Sequence, residues 1–295
     1  MSTCLKGEKP FFNEINEVHM AESVTLIEVE GIKVIRVELP YFDEIEVIPF
    51  GDVHVGEEWT NLNIVKDTIR YILDKPNRFV ILNGDLMDMA LKMSVSDSYG
   101  ATLSPMEQVQ SVAKLFKPLV DDNRVLAMGT GNHEERTYKF VGLDASRMLA
   151  LELGIVDRYA DNSFMLFVKF GKTAQSYEGR LKQNVYSFFC SHGYGGGKKS
   201  GSKMNNVVDM PRTAEADVYI FSHVHDVMGK PSDSFRCDYQ NMTISRITKW
   251  HLISNSWQNF GGYSLKQGFP PASREVGYVV LNGNGKKRVK LRIGL

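Results

Sequence analysis

Short polar clusters follow five apolar runs of the sequence, and they read GDVH, GDLMD, GNHE, SHG and SHVH. Four of them hold histidine, and together they contain five of the seven histidines in the chain: His54, His133, His192, His223 and His225. A single histidine at the end of a strand is usually a hydrogen-bonded structural residue. Five histidines, each close to aspartate, asparagine or glycine, instead indicate a metal centre.

The ligand types and their spacing narrow the kind of metal centre. Aspartate, asparagine and histidine without a nearby cysteine cluster suit Mn, Fe, Zn or Ni. Asp52 and His54 are two residues apart, as are His223 and His225. In an extended backbone such side chains point the same way, so each pair is expected to face one ion or two adjacent ions. Asp85 is the best candidate for a bridging carboxylate, because we expect its strand to lie beside the strand that carries Asp52.

The elements that must position these clusters alternate between strands and helices, which predicts an α/β layered fold. Ligands bind at the carboxyl ends of strands in α/β sheets, so the clusters are expected to converge on one site. Helices are predicted over 60–74, from Ser104 to about Leu119, and over about 143–153. Strands are predicted at 24–39 (a hairpin), 44–52, 78–85, 124–133, 163–170, 184–190, 216–223, 242–254, 275–281 and 288–293.

The composition excludes several classes of protein. Lysine and arginine total 35 and balance 35 aspartates and glutamates, so no overall field attracts nucleic acid or an anionic membrane. The basic stretch GKKRVKLR near the C-terminus is typical of a solvated edge strand. Three widely spaced cysteines predict neither a disulfide framework nor a thiolate zinc site. No signal peptide or apolar stretch of about 18 residues is present, so we expect a cytoplasmic protein that does not enter the membrane.

Five motifs occur in order between residues 52 and 225: D-x-H, G-D-x-x-D, G-N-H-E, H-G and H-x-H. This set resembles the calcineurin-like metallophosphoesterases, which are hydrolases of phosphoric esters. The resemblance implies a β-sandwich of two mixed sheets flanked by helices, a four-layer α/β/β/α arrangement. We expect residues 44–295 to form this domain, and residues 1–43 to form an N-terminal β-hairpin extension packed on it. The glycine loop and the C-terminal β tail are also similar to uncharacterised bacterial and phage-borne members.

The resemblance also implies site residues and a mechanism. Two divalent ions are expected, with Mn favoured and Fe, Zn, Ni or Mg as alternatives. His133 would be a catalytic histidine that binds no metal and is oriented by Asp88. Metal ions lower the pKa of water from 15.7 towards about 7, so hydroxide can attack phosphorus without a covalent phospho-enzyme. The implied ligands are Asp52, His54, Asp85 and His225 for one ion, and Asp85, Asn132, His192 and His223 for the other.

Departures from the family pattern bear on the substrate. Met89 and Thr130 stand where serine/threonine phosphatases carry arginines, and Ser222 replaces a glycine common before the last histidine pair. The leading hypothesis is therefore hydrolysis of a phosphodiester, in DNA, RNA or a nucleotide, as in nucleases of the superfamily. A phosphomonoesterase, including a serine/threonine protein phosphatase, is the alternative. A metal-binding scaffold without catalysis is the third reading.

Substrate contacts are predicted around the glycine-rich stretch SHGYGGGKKSGSK (191–203). Its glycine and lysine spacing does not match a Walker A loop, and no helix is clearly expected after it. Tyr194 and Arg136 are further candidates, as are Tyr99 at the border of the cleft and, for stacking on bases, Trp59, Trp250 and Trp257. Core packing or a solvated surface is the competing interpretation for each of these. Lys198, Lys199 and Lys203 are candidates for a mobile lip that meets phosphate.

Two further interpretations stay open at this point. Glu134 and Glu135 are either acceptors behind the site or helix N-terminal charges. The 24–39 hairpin is either a homodimer contact or an ordinary sheet edge.

Overall fold

The computed structural model describes residues 23–91, 101–172, 176–177, 180–181, 183–261, 265, 268 and 270–295. The strands are β1 Ser23–Val29, β2 Ile32–Glu38, β3 Glu44–Phe50, β4 Arg78–Asn83, β5 Val125–Gly129, β6 Tyr159–Ala160, β7 Phe164–Phe170, β8 Ser176–Tyr177, β9 Arg180–Leu181, β10 Asn184–Ser191, β11 Val218–Phe221, β12 Met228–Asp238, β13 Thr243–Ile253, β14 Gly277–Asn282 and β15 Val289–Ile293. The helices are α1 Leu62–Leu73, α2 Pro105–Asp121, α3 Asn132–Val141, α4 Ala145–Leu153 and α5 Ser200–Asp209.

Two mixed sheets form the centre of the molecule. One has seven strands in the order β1-β2-β7-β10-β11-β13-β12, and the other has six in the order β15-β14-β3-β4-β5-β6. Strands β3, β4 and β5 run parallel in the six-stranded sheet, and β10 runs parallel to β11 in the seven-stranded sheet. The predicted neighbourhood of the Asp52 and Asp85 strands is therefore confirmed, and the basic C-terminal strand β15 lies at a sheet edge, as predicted.

Alternating side chains of the strands assign the layers. In β4, Phe79 and Ile81 pack between the two sheets, whereas Val80 and Leu82 pack under α1, α2 and α4. In the seven-stranded sheet, Phe189 of β10 points outward to the layer that contains α5. The central strands of each sheet are covered on both faces, which explains their long apolar runs. The four-layer α/β/β/α arrangement that the family resemblance implied is confirmed.

Two helices were not predicted, and both lie beside the polar clusters. The segment 132–141 has no apolar stripe, and its helix α3 starts where Glu134 accepts a hydrogen bond from the Gly131 N–H, 3.1 Å away. The glycine-rich stretch was expected to continue without a helix, and this expectation is wrong because α5 begins at Ser200. Strand β12, a long edge strand whose polar sequence has no buried face, was also not predicted.

The hairpin formed by β1 and β2 joins the seven-stranded sheet because β2 pairs in parallel with β7. The division of the chain into an extension (1–43) and a domain (44–295) stays a prediction, since strand pairing alone does not define a domain boundary. Among the described residues, no helix combines the length and the apolar character needed to cross a bilayer.

Candidate metal centre

The polar clusters meet where the carboxyl ends of strands from both sheets come together. Asp52 and His54 follow β3, Asp85 follows β4, and Asn132 and His133 begin α3 after β5. His192 follows β10, and His223 and His225 follow β11. Their ligand atoms form overlapping groups in which all atoms lie within 4.8 Å of one another, for example Asp52, His54 and His225, and Asp85, His192 and His223.

The first group contains side chains from both sheets. His54 Nε2 lies 3.1 Å from His225 Nε2, and His225 Nε2 lies 3.4 Å from Asp52 Oδ1. Asp85 Oδ2 lies 3.9 Å from His54 Nε2. Two ligand atoms that are each about 2.1 Å from one ion, at right angles, are about 3.0 Å apart. These separations therefore suit ligands of one ion.

Asp85 connects the second group to the first, because its Oδ2 also lies 3.9 Å from His54 Nε2. His192 Nε2 lies 3.1 Å from Asp85 Oδ2 and 3.2 Å from Asn132 Oδ1. His223 approaches through its other ring nitrogen, with Nδ1 2.7 Å from Asn132 Oδ1. Asp85 Oδ2 therefore faces ring nitrogens of both groups, as a bridging oxygen would.

The two aspartates each keep one oxygen free for a cation. Asp52 Oδ2 accepts the His223 N–H at 2.7 Å, and Asp85 Oδ1 accepts the His133 N–H at 2.8 Å. The other two oxygens, Asp52 Oδ1 and Asp85 Oδ2, are buried and accept no hydrogen bond. A buried carboxylate oxygen without a partner is costly, and a metal ion removes this cost. The donor set thus fits a divalent ion.

The pKa shifts of the histidine rings also indicate a site for cations. Burial by itself lowers the pKa of His192, but Asp85 and Asp52 raise it to about 10. Burial also lowers the pKa of His54, in this case to about 4. The two carboxylates therefore attract positive charge to the His192 side of the site, which divalent ions would supply.

The backbone brings the paired side chains together in a way that the sequence reasoning did not anticipate. Asp52, His54, Asp85, His223 and His225 all have positive φ angles, between 48° and 68°. The expectation of extended i and i+2 pairs is therefore wrong, although each pair does face the centre. Left-handed backbone costs about 1–2 kcal/mol per non-glycine residue, and such strain is typical of functional sites.

His133 lies beside the two groups and is oriented by Asp88. Its Nδ1 lies 2.8 Å from the Asp88 carbonyl oxygen and 3.2 Å from Asp88 Oδ1. A carbonyl oxygen only accepts, so Nδ1 carries a proton, and Nε2 faces the site 3.7 Å from Asp85 Oδ2. Burial lowers the pKa of His133, but Asp85 and Asp88 outweigh it and raise the pKa, while Arg136 acts in the opposite direction.

Comparison with protein families identifies the fold and the site together. The family model described as calcineurin-like phosphoesterase matches residues 46–229, which is more than half of the chain. The chain belongs to the calcineurin-like phosphoesterase family. The match contains all five strand-end clusters. The protein is thus a metallophosphoesterase, a hydrolase of phosphoric esters in a metal-dependent family.

Solved structures with similar folds are distant from this phosphoesterase. A Streptococcus pneumoniae TIGR4 protein described as an uncharacterized, predicted phosphoesterase is 13% identical, with a TM-score of 0.32 over 85% of this chain and 91% of that one. GAP50, the anchor in the inner membrane complex of Plasmodium, is 10% identical, with a TM-score of 0.41 over 85% of this chain and 84% of its own. No curated protein matches the sequence. Neither structural similarity is close enough to carry an argument about this chain.

Asn83 connects the two sheets of the phosphoesterase directly behind the metal groups. Its Nδ2 donates to the Ser191 carbonyl oxygen at 2.9 Å and to Ser222 Oγ at 2.7 Å. The backbone carbonyl oxygen of Asn83 lies 2.9 Å from His192 Nδ1, which therefore donates to it and leaves His192 Nε2 free as a ligand. The serine found at the position of a family glycine, Ser222, thus has a specific partner. The sequence reasoning missed Asn83, although it directly precedes the Gly84-Asp85 motif.

Glu134 is the acceptor behind the site that the sequence left undecided. It is buried, and its carboxylate accepts the backbone N–H groups of Asp85 at 2.9 Å, Met87 at 2.9 Å and Gly131 at 3.1 Å. Burial and the nearby Asp85 raise its pKa to about 7. Glu135 instead pairs with Lys139 on the outer face of α3. Glu134 therefore fixes the loop that carries Asp85.

We expect Glu134→Gln to weaken metal binding by about 10–100-fold, because residues that orient ligands contribute at this level. The amide places an NH₂ group against backbone N–H donors, so the free energy of unfolding should also fall by about 1–3 kcal/mol. Titration with Mn²⁺ and urea denaturation measure the two effects. Glu135→Gln on the same helix is the control, and equal metal affinities in the two variants would contradict this role.

The predicted substrate contacts lie at different depths. Arg136 is half-buried one helical turn after His133, whereas Lys198, Lys199 and Tyr194 are exposed in the glycine-rich loop (residues 192–199). Lys203 was considered part of a mobile lip, and this is wrong. It is 5% exposed within α5, and its Nζ lies 3.0 Å from Asp226 Oδ2.

The three tryptophans predicted to stack on bases also differ in their exposure. Trp257 is buried and stacks on Phe50 with ring centroids 4.4 Å apart, so it is a core residue. Trp250 packs against the core between the sheets, and Trp59 is 37% exposed. Tyr99, a suggested neighbour of the cleft, lies outside the described residues.

Proposed function

We propose that this phosphoesterase hydrolyses a phosphodiester, in nucleic acid or in a nucleotide, with two divalent ions. The observation that carries the proposal is the pair of ligand groups that meet at Asp85 Oδ2, with His133 directly beside them. One ion would be held by Asp52, His54, Asp85 and His225, and the other by Asp85, Asn132, His192 and His223. Mixed histidine and carboxylate ligands favour Mn, with Fe, Zn, Ni and Mg as alternatives.

Two such ions, when bound, supply Lewis-acid stabilisation of the phosphoryl oxygens and water of lowered pKa. The chain itself contributes position and proton transfer. Asp52 and Asp85 offset part of the cationic charge, and their second oxygens are fixed by backbone N–H groups. His133 holds Nδ1–H against Asp88, so when the ring is an imidazolium its Nε2–H can donate a proton to the leaving oxygen and leave the ring neutral.

A diester is favoured because cations that grip a dianionic phosphate are missing from two family positions. Met89 is buried in the core, and its N–H donates to Gln108 Oε1 at 2.9 Å. Thr130 Oγ1 pairs with Ser146 Oγ at 2.8 Å. Neither side chain can hold phosphate. Lys198, Lys199, Arg136 and Tyr194 are proposed as contacts to the rest of the substrate.

A substrate panel with Mn²⁺-loaded protein tests the proposal. It compares a monoester, a diester, cyclic nucleotides, single- and double-stranded DNA, and RNA. We expect turnover of at least one diester to exceed monoester turnover, and EDTA to abolish it. A preference for the monoester would support the phosphomonoesterase alternative. A protein that binds no divalent ion at neutral pH would contradict both enzymatic functions, whereas one that binds the ion and turns over no substrate would support the scaffold.

Two further proposals concern the oligomeric state and the cellular location of the enzyme. The outer strand β1 exposes Ile27 (37%) and Val29 (52%), so we propose the β1–β2 hairpin as a homodimer contact. Sedimentation of the wild type and of Val29→Glu tests this, and a wild-type monomer would contradict it. We also propose a cytoplasmic location, which fractionation of the native cells tests.

A further inference from the structure

We propose that Glu57 is a specificity-determining residue that disfavours dianionic phosphate and so selects diesters over monoesters. This inference rests on the proposed phosphodiesterase function and names the group that sets its substrate class. Glu57 belongs to none of the five motifs that led to the site. It lies three residues after His54, in the turn that leads from the first cluster towards α1.

Glu57 is held in place at the site. Its backbone N–H donates to the His54 carbonyl oxygen at 3.1 Å, and its carboxylate accepts a hydrogen bond from Gln258 Nε2. Gln258 directly follows the buried Trp257, and its backbone pairs with Thr60. The carboxylate is therefore anchored from two sides and is not a free surface charge.

The carboxylate lies next to the catalytic side of the centre. One ligand atom each of His54, Glu57 and Asp88 lies within 4.8 Å of the others. Its charge also interacts with the rings of His133 and His225. The site therefore has a second carboxylate beside Asp88, and unlike Asp88 it does not orient His133.

Accessibility indicates that substrate approaches past this carboxylate. The side chains of His225 and His133 are 33% and 15% exposed, whereas those of His54 and His192 are 1% and 6% exposed. The open rim of the centre is thus formed by His133, His223 and His225, and the half-buried Glu57 lies on its His54 side. A phosphate that reaches the ligand groups from this rim meets the charge of Glu57.

The charge of the substrate decides how strongly it is repelled. A phosphodiester carries one negative charge, whereas a monoester carries nearly two above its second pKa of about 6. Coulomb repulsion from a fixed carboxylate grows in proportion to the substrate charge, and it is only partly screened at a half-buried position. Glu57 therefore penalises a monoester about twice as much as a diester.

The variant Glu57→Gln tests this role, with Glu58→Gln as the matched control. Both changes remove one negative charge, but Glu58 is an exposed neighbour. The measurements use Mn²⁺-loaded protein at pH 8, where a monoester carries nearly two negative charges. They compare kcat/KM for a diester and a monoester with the same leaving group. A calorimetric titration gives the affinities for inorganic phosphate and for dimethyl phosphate.

We expect Glu57→Gln to reduce the diester-to-monoester ratio of kcat/KM about tenfold, mainly by faster monoester turnover. The affinity for inorganic phosphate should rise by a similar factor, and that for dimethyl phosphate should rise less. Glu58→Gln should stay within about twofold of the wild type in each measurement.

The failures of the two proposals are distinguishable. A wild type that prefers the monoester contradicts the phosphodiesterase function, and the phosphate titration then decides the role of Glu57 by itself. A wild type that prefers the diester, with equal ratios and phosphate affinities in Glu57→Gln and Glu58→Gln, overturns the role of Glu57 alone. Loss of bound Mn²⁺ in Glu57→Gln, measured by elemental analysis, also overturns it, because Glu57 would then be part of the metal centre.

Discussion

Asp85→Asn should bind metal poorly and lose turnover by about a thousandfold or more, because it removes the carboxylate that we propose bridges the two ions. Asparagine keeps the local fold, since its Oδ1 can still accept the His133 N–H now accepted by Asp85 at 2.8 Å. The NH₂ group then occupies the position of Asp85 Oδ2, and it has no lone pair for a metal. A flipped amide would place NH₂ against that backbone N–H, which is unfavourable.

Elemental analysis after loading with Mn²⁺, together with diester turnover, measures both effects of Asp85→Asn. Asp67→Asn is the control because Asp67 is an exposed carboxylate of α1 that pairs with Arg70. The bridging role would be wrong if Asp85→Asn retained the metal content of the control and most of its activity.

His133→Ala should retain its metal and lose diester turnover by about 10²–10⁴-fold, the usual contribution of a general acid. No ligand group proposed for the two ions includes His133, and its Nδ1 is committed to Asp88. The loss should be largest for diesters with poor leaving groups, because these need a proton on the departing oxygen. An activated monoester, whose leaving group departs without protonation, should lose less.

The leaving-group comparison separates proton donation from general damage to the site. Asp88→Asn is an informative companion variant, because it keeps the carbonyl that holds Nδ1 and removes only the carboxylate 3.2 Å from it. We expect the diester turnover of Asp88→Asn to lie between that of the wild type and that of His133→Ala. Equal losses on poor and good leaving groups in His133→Ala would exclude His133 as the proton donor.

The sequence predicted the layers and the convergence of the clusters, because both depend on strong local signals. Strands such as β4 are apolar on both faces, and polar residues follow them directly. Polar elements were the ones missed. Helix α3 presents Tyr138, Phe140 and Val141 to solvent, so no apolar stripe marks it, and its start depends on Glu134. Strand β12 forms because β13 pairs with it over eleven residues. The composition of β12 alone does not predict this pairing.

Within the candidate site, residue types were predictable and geometry was not. The spacing of Asp52 and His54 suggested an extended pair, but each residue adopts a positive φ, and its N–H donates to a carbonyl oxygen of the loop after β4. The contacts of Asn83 and Glu57 join segments more than 100 residues apart in sequence. Such contacts depend on how the two sheets pack, and no local pattern encodes them.

Asn83 joins the ends of β4, β10 and β11 by hydrogen bonds. The proposed ligand groups would join the same two sheets through metal ions. Each group takes side chains from both sheets, so neither sheet holds a complete set of ligands by itself. An ion bound there is a cross-link between the two halves of the sandwich. Binding and folding are then linked: free metal at a hundred times its Kd adds about 2.7 kcal/mol to the free energy of unfolding. Separation of the two sheets would break both proposed ligand groups at the same time. Partial unfolding that opens the sandwich should therefore abolish metal binding and activity together.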